Sequence, residues 1–262
     1  MNISENYDFI LTLGAFFEDK KLLEDLKNSS KNQAKIIYMH PIDKYELKDF
    51  YNSFIKYEVG SEEAILALVL YFFSKDKKII SNYLEELDIG YLSAESSAGE
   101  DEFEEAFEIY EESLKKALIL GDDLVNHKSI ENIVQLIKNI EKYTDLNPIF
   151  TSKELENMVK NSSETKLVEP KNLESFNGTI LYFLGKNSLE DNSKIIASQT
   201  FLNVAKLSNN DFVTFNCDNK EFKKQVVLDK NLLGTIALIN EDISTYKFRK
   251  IVLTKEQNNA TN

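Results

Sequence analysis

Two short apolar runs of this chain end in the same way, Phe9-Ile10-Leu11-Thr12-Leu13-Gly14 and Ala117-Leu118-Ile119-Leu120-Gly121. Each has the length of a fully buried strand, stops at a glycine and is followed by a helical pattern. Parallel strands of an α/β sheet end like this, and ligands of such sheets bind at that edge. A cofactor edge needs small residues and groups that hold phosphate. This one offers Phe16, Phe17, Glu18 and Asp19 after the first run, and Asp122 and Asp123 after the second. The pattern predicts the architecture of a cofactor-binding scaffold without its chemistry.

The alternation of strand and helix predicts an α/β, Rossmann-like domain over residues 1–145. Strands are expected at Tyr7–Leu13, Ala34–Met39, Ile89–Leu92 and Ala117–Leu120. Helices are expected at Lys20–Leu26, after Asp43 and Glu46 (a capping-box spacing), over the apolar stretch to Phe73, at Lys77–Leu87, at Glu102–Ser113 and along the stripe Ile130, Ile133, Val134, Ile137, Ile140. Residues 146–177 read as a linker, rich in Ser, Asn, Lys and Glu, with Pro148, Pro170 and one short helix opened by Thr151 and Glu154. From 178 to 262 the rhythm becomes strand after strand: Thr179–Leu184, Ile195–Leu202, Phe212–Asn216, Lys224–Leu228, Thr235–Ile239 and Lys247–Leu253. That predicts a β-rich, barrel-like domain.

Composition narrows the function. The chain has 262 residues and a formal charge of −13, so it lacks the clustered Lys and Arg that phosphate backbones require. Nucleic acid and direct contact with an anionic membrane are disfavoured; basic partner surfaces are favoured. The longest apolar run, Ala64 to Phe73, is short of the roughly 20 residues a membrane span needs. Cys217 is the single cysteine, which excludes an internal disulfide and a cysteine-held iron–sulfur or zinc site. With no signal-peptide pattern in Met1-Asn2-Ile3-Ser4-Glu5, a reducing cytoplasm is the expected compartment.

Candidate chemistry is thin. Gly14 and Gly121 lie in neither a dinucleotide fingerprint nor a Walker motif, and read as tight turns after strands. Asp122, Asp123 and His127 sit close enough in sequence to ligate a metal. Against that, acids at a helix start complement its dipole. His40, the other histidine, stands at a strand end before Pro41. The acids from Glu100 to Glu112 read as a solvated helix face, or as a docking surface for a basic partner. Cys217 reads as a small core residue rather than a nucleophile. No catalytic, cofactor-binding or metal-binding residue is assigned.

The order of elements resembles the C-terminal portion of the molybdopterin-dependent oxidoreductases. The likeness is carried by Lys116-Ala117-Leu118-Ile119-Leu120-Gly121-Asp122-Asp123 leading to a helix, and by three stretches near the C-terminus. These are Leu207-Ser208-Asn209-Asn210-Asp211-Phe212-Val213-Thr214-Phe215, Lys224-Gln225-Val226-Val227-Leu228-Asp229 and Leu232-Leu233-Gly234-Thr235-Ile236-Ala237-Leu238. Asn209-Asn210-Asp211 stands where that family has a glycine-aspartate turn. Within the family the chain is similar to the molybdopterin-oxidoreductase-like subunit of the bacterial NADH–quinone oxidoreductase (respiratory complex I), which has the fold without the metal centre. The resemblance implies an α/β domain followed by a β-barrel-like domain of the molybdopterin oxidoreductase type. It also implies a non-catalytic structural role in the peripheral arm, contacts with other peripheral-arm subunits and location on the cytoplasmic side of the inner membrane. No cofactor is expected in this chain; iron–sulfur clusters would lie elsewhere in the assembly. The alternative it leaves open is a molybdopterin-type oxidoreductase fragment or subunit that binds a pterin.

Overall fold

A computed structural model describes residues 7–75, 80–163, 165–185 and 191–256, and divides the chain into a unit ending at Ser175 and a unit beginning at Phe176. In the first unit, strands β1 (Phe9–Leu13), β2 (Lys35–Met39), β3 (Ser53–Ile55), β4 (Lys116–Leu120) and β5 (Leu146–Phe150) form one parallel sheet in the order β3-β2-β1-β4-β5. The chain first builds outward from β1 through β2 to β3, then crosses back to place β4 on the other side of β1. That reversal makes the β1/β4 boundary the topological switch point.

Both faces of the sheet are covered, so its strands carry unbroken apolar runs and β1 and β4 are buried at every position. Alternate side chains supply two cores. Phe9, Leu11 and Leu13 face a large cluster around helix α2 (Glu62–Phe73). Ile10 faces a smaller one with Leu26 of α1 (Lys20–Lys31), Ile36, Tyr38 and Ile119. Helix α2 is apolar around most of its circumference because it lies inside the unit, surrounded by α4 (Ile89–Ser96), α5 (Glu100–Glu112) and α6 (Ile130–Tyr143) as well as the sheet.

Several expectations change. Ile89–Leu92 is the start of α4, not a strand, because the Asp88 carboxylate accepts the Tyr91 N–H at 2.9 Å and caps a helix. Asp43 caps nothing: its carboxylate binds the Tyr51 hydroxyl and Lys48, and only a short 3-10 turn, Tyr45–Leu47, forms. The segment Ser53–Ile55 is a strand that no alternation announces. The expected helix at Lys77–Leu87 is α3, Ser81–Glu86, and the first residues of the expected range lie outside the described ones. The stretch that reads as a linker supplies β5 and then α7 (Lys153–Asn161), capped by Ser152 rather than Thr151. Both pack with α6 in the first unit.

The second unit is a mixed sheet in the order β11-β6-β10-β7-β9-β8-β12, curled into a half-barrel. Its strands are β6 (Ile180–Leu184), β7 (Lys194–Ala197), β8 (Phe212–Cys217), β9 (Lys220–Leu228), β10 (Ile236–Asn240), β11 (Phe248–Lys250) and β12 (Thr254–Lys255). The curl follows from connectivity. The strands at the two ends of the sheet, β11 and β12, are neighbours in the chain, joined by Ile251–Leu253. Four Cα steps reach at most about 14 Å, so the edges are drawn together. A groove of about 400 Å³ opens at that seam, between Thr214–Asn216 and Lys250–Thr254. β8 and β9 form a hairpin whose turn residues, Asp218 and Asn219, both take φ near +50 to +60°, the geometry that Asx residues tolerate in two-residue hairpins. The expected strand Ile195–Leu202 divides: after β7, the Ser198 hydroxyl accepts the Phe201 N–H at 2.9 Å and starts α8 (Gln199–Ala205).

Candidate functional site

In an open parallel sheet, ligands enter where the loops after two neighbouring strands part, at the carboxyl ends beside the switch point. Here the loops after β1 and β4 do not part. The Gly121 N–H donates to the Leu13 carbonyl at 2.9 Å, and the Asp123 N–H donates to the Gly14 carbonyl at 3.2 Å. These two backbone donors, which a phosphate at this edge could use, are therefore paired with carbonyls at the end of β1. Gly121 is required for this approach. A Cβ on it would lie 1.7 Å from the Gly14 carbonyl oxygen. Gly14 itself turns at φ +62°, with Leu124 packed above it.

The other phosphate position of such folds, the first helix N-terminus, is also filled. The Asp19 carboxylate accepts the Leu22 N–H at 2.8 Å, placing the chain's own negative charge where a ligand's would sit. Phe17 holds a left-handed φ of 55° while buried against Tyr38. This conformation is costly for a bulky side chain, and here the surrounding core enforces it.

Behind this closed edge lies a buried polar network. The His40 Nε2 is 3.0 Å from Asp123 Oδ2, and both side chains are wholly buried. The Ile42 N–H donates to His40 Nδ1 at 3.0 Å, so the ring directs its Nε2–H at the carboxylate. The ring stacks on Tyr38, contacts Phe16 on another side, and the Lys44 ammonium lies 4.2 Å above the Phe16 ring. Burial lowers the Lys44 pKa, against the pull of Glu46 and Glu18. The order from inside outward is a histidine–aspartate pair, an aromatic ring and the stem of a lysine.

His127 makes a second pair. In the neutral ring its Nδ1 accepts the Ser129 N–H at 3.0 Å, and its Nε2 lies 3.1 Å from the Gly60 carbonyl and 3.4 Å from Glu62 Oε2. Glu62 and Glu63 open α2 as the dipole argument expects, but they do so inside the protein. Tyr57 is also buried here. Its pKa is driven up by burial first, then by Glu62 and Asp123, with the Gly14 backbone beside its hydroxyl. Burial favours the neutral form of His127, but the Glu62 hydrogen bond and charge, the Gly60 carbonyl and Glu63 outweigh it and raise the pKa.

A raised histidine pKa stabilises the fold below the unfolded value of 6.5, and that contribution is lost as pH climbs through the folded value. The melting temperature of the unaltered chain is expected to fall relative to a His127→Gln variant as pH rises above 6.5. A pH-independent difference between the two would show that His127 does not carry the charge in the fold.

Sequence spacing groups Asp122, Asp123 and His127 as possible ligands; the structure separates them. Asp123 turns to His40, His127 turns to Glu62 and Gly60, and Asp122 faces solvent. Among the described residues no group of three or more His, Cys, Asp or Glu side chains is arranged to hold a metal. Neither acid complements a long helix either: the element there is a 3-10 turn, Asp122–Leu124, and α6 begins only at Ile130. His40 does have a partner, which no local motif could name because Asp123 is 83 residues away. Cys217 ends β8 inside the half-barrel core, and burial pushes its thiol pKa up, away from nucleophilic use. Glu104, Glu105 and Glu108 lie on the exposed side of α5, while Phe103, Ala106 and Tyr110 point inward.

Both rings therefore use both nitrogens within the protein, and the Gly121 and Asp123 N–H groups at the sheet edge are paired. The arrangement is that of a fastening: it ties β2 to the loop after β4, and that loop to the start of α2. No family model matches this sequence, and no curated protein shows a significant match to it.

Proposed function

We propose that this chain is a non-catalytic structural part of the peripheral arm of a respiratory NADH–quinone oxidoreductase, supporting electron transfer from NADH to quinone by the assembly. The context is suggested by the resemblance of the Lys116–Asp123 segment and of the three C-terminal stretches to the molybdopterin-oxidoreductase-like component of that complex. The observation that carries a structural role is the closed switch point. The Gly121 and Asp123 N–H groups are engaged by carbonyls of Leu13 and Gly14, and the two histidines by Asp123 and Glu62, all within the protein. On this reading the chain packs against cluster-bearing subunits on the cytoplasmic side of the membrane, and the redox chemistry belongs to them. Among the described residues no helix is long and apolar enough to cross a membrane, so association with it would run through those partners.

The exposed acids of α5 are the surface to test. Charge at the rim of an interface governs encounter and register more than affinity. Changing Glu104, Glu105 and Glu108 together to Lys should shift stability by no more than about 0.5 kcal/mol per site, as exposed substitutions do. Recovery of peripheral-arm subunits with the tagged chain from solubilised native membranes should drop, most clearly at moderate salt. If the unaltered chain recovers no respiratory subunits, the proposal fails. If the triple variant recovers them as well as the unaltered chain, α5 is not the contact.

A further inference from the structure

Asn177-Gly178 is the only place in the chain where an asparagine precedes a glycine. The pair stands in the irregular backbone that leads into β6, and both residues are exposed. Gly178 turns at φ +100°, and a Cβ built on it would meet only Lys250 Cε, at 3.8 Å. Its N–H donates no hydrogen bond among the described residues. Pairing begins two residues later, where the Ile180 N–H donates to the Thr235 carbonyl at 3.1 Å. An amide nitrogen one residue past an asparagine is a latent nucleophile toward that side chain. It acts when it is not hydrogen-bonded, when water and base reach it, and when its own residue has no side chain in the way.

The described asparagines that precede serine lack this freedom. Ser29, after Asn28, lies inside α1. Asn52 directs its side-chain oxygen at the Ile36 N–H, at 2.9 Å, and Ser53 opens β3. The Ser162 N–H after Asn161 donates to the Met158 carbonyl at 3.1 Å. The Ser193 N–H after Asn192 donates to Asp191 Oδ1 at 2.8 Å. Asn187-Ser188 lies outside the described residues.

We propose that Asn177 is a site of spontaneous covalent modification, converted as the protein ages to aspartate and isoaspartate through a ring closed by the Gly178 nitrogen. Hydroxide removes the Gly178 amide proton, and the nitrogen attacks Asn177 Cγ. A C–N bond forms, the bond from Cγ to the side-chain nitrogen breaks, and ammonia leaves with a proton from water. The resulting five-membered succinimide then adds water. Cleavage between Cγ and the Gly178 nitrogen gives aspartate. Cleavage between the Asn177 main-chain carbonyl carbon and that nitrogen gives isoaspartate. Nothing is oxidised or reduced. Either product exchanges a neutral amide for a carboxylate. Isoaspartate also routes the main chain through Cγ, which lengthens it by one methylene just ahead of Thr179. The Thr179 hydroxyl donates to the Ile251 carbonyl at 3.1 Å, and its carbonyl accepts the Ile251 N–H at 3.4 Å. These ties, between the residues that flank β6 and β11, are the first contacts the new linkage shifts. The chemistry is independent of the assembly the chain serves.

The full chain is aged at mildly alkaline pH and mapped at intervals by peptide mass spectrometry. The peptide that holds Asn177 should gain about one dalton, the exchange of an amide for an acid, at least about tenfold faster than the peptides of Asn28, Asn52, Asn161 and Asn192. A smaller difference overturns the proposal. The same ageing in guanidinium chloride separates the fold from the dipeptide. The Asn177 rate should stay within about fivefold of its native value, because the fold does not restrain Gly178, while Asn161 and Asn192 speed up as their neighbours' hydrogen bonds are lost. A larger acceleration at Asn177 would show that the native structure protects it, which overturns the proposal. Isoaspartyl methyltransferase with labelled S-adenosylmethionine identifies the linkage. It should label the aged chain and leave an aged Asn177→Gln variant, altered only at an exposed position, nearly unlabelled. Equal labelling of the two places the isoaspartate elsewhere and overturns the assignment.

Discussion

Replacing Gly121 by alanine should leave little folded protein. The added Cβ would sit 1.7 Å from the Gly14 carbonyl oxygen and 2.5 Å from the Ala15 Cα, so it meets backbone and no rotamer change relieves it. The ends of β1 and β4 would have to separate, breaking the Gly121–Leu13 and Asp123–Gly14 hydrogen bonds and opening the cover over His40. A loss of about 4 kcal/mol or more is expected, in the range reserved for named structural failures, seen as a melting temperature lower by about 10 °C or as insoluble expression. Gly90→Ala is the matched control. Its Cβ would meet only Asp88 Oδ1, at 3.7 Å, and within α4 it should be neutral or stabilising by up to about 1 kcal/mol. A Gly121→Ala protein that melts within a few degrees of the unaltered chain would show that the edge is open in solution. The closed switch point, and the structural role argued from it, would then go.

The second large effect concerns the buried pair. Asp123→Ala removes the acceptor for His40 Nε2 in a place that water does not reach. Breaking a buried, hydrogen-bonded pair from one side costs about 3–5 kcal/mol, because the remaining polar group stays desolvated and unmatched. His40→Ala should cost a similar amount, with the loss of its stacking on Tyr38 added. The double variant should fall short of the sum of the two by about 0.5–3 kcal/mol, the coupling expected for residues in direct contact. Chemical denaturation of the four proteins measures this. Additive single effects would mean that the pair does not hold β2 to the loop after β4, and that the fastening lies elsewhere in the network.

Much of the fold is legible because burial writes itself into a parallel sheet. Runs such as Phe9–Leu13 and Lys116–Leu120 have few other places to go, and the stripe from Ile130 to Ile140 admits only an amphipathic helix. The misreadings share a cause. At Ile89–Leu92 and after Ala197, a short apolar run reads as a strand although a capping side chain, Asp88 or Ser198, commits the backbone to a helix. The strand Ser53–Ile55 is too short for alternation to show, and it exists because β2 offers a free edge. Pro148 and the polar residues around it suggest a linker, yet β5 is an edge strand, where a proline can be accommodated.

The candidate site divides in the same way. From the sequence alone came the identity of the parts: a glycine ending each of two strands, acids and aromatics where phosphate contacts would be needed, two histidines and one cysteine. Periodicity and composition also determined the succession of an α/β unit and a strand-rich one. What only the tertiary structure decided was pairing. Asp123 chose His40 over His127, His127 chose Glu62, and Gly121 met Gly14, because the crossover from β3 to β4 brings the carboxyl ends of β1, β2 and β4 and the start of α2 to one place. Hydrogen bonds and close contacts depend on separations of a few ångströms between residues far apart in the chain. Local sequence carries the preference for an element, but not the register that sets those separations.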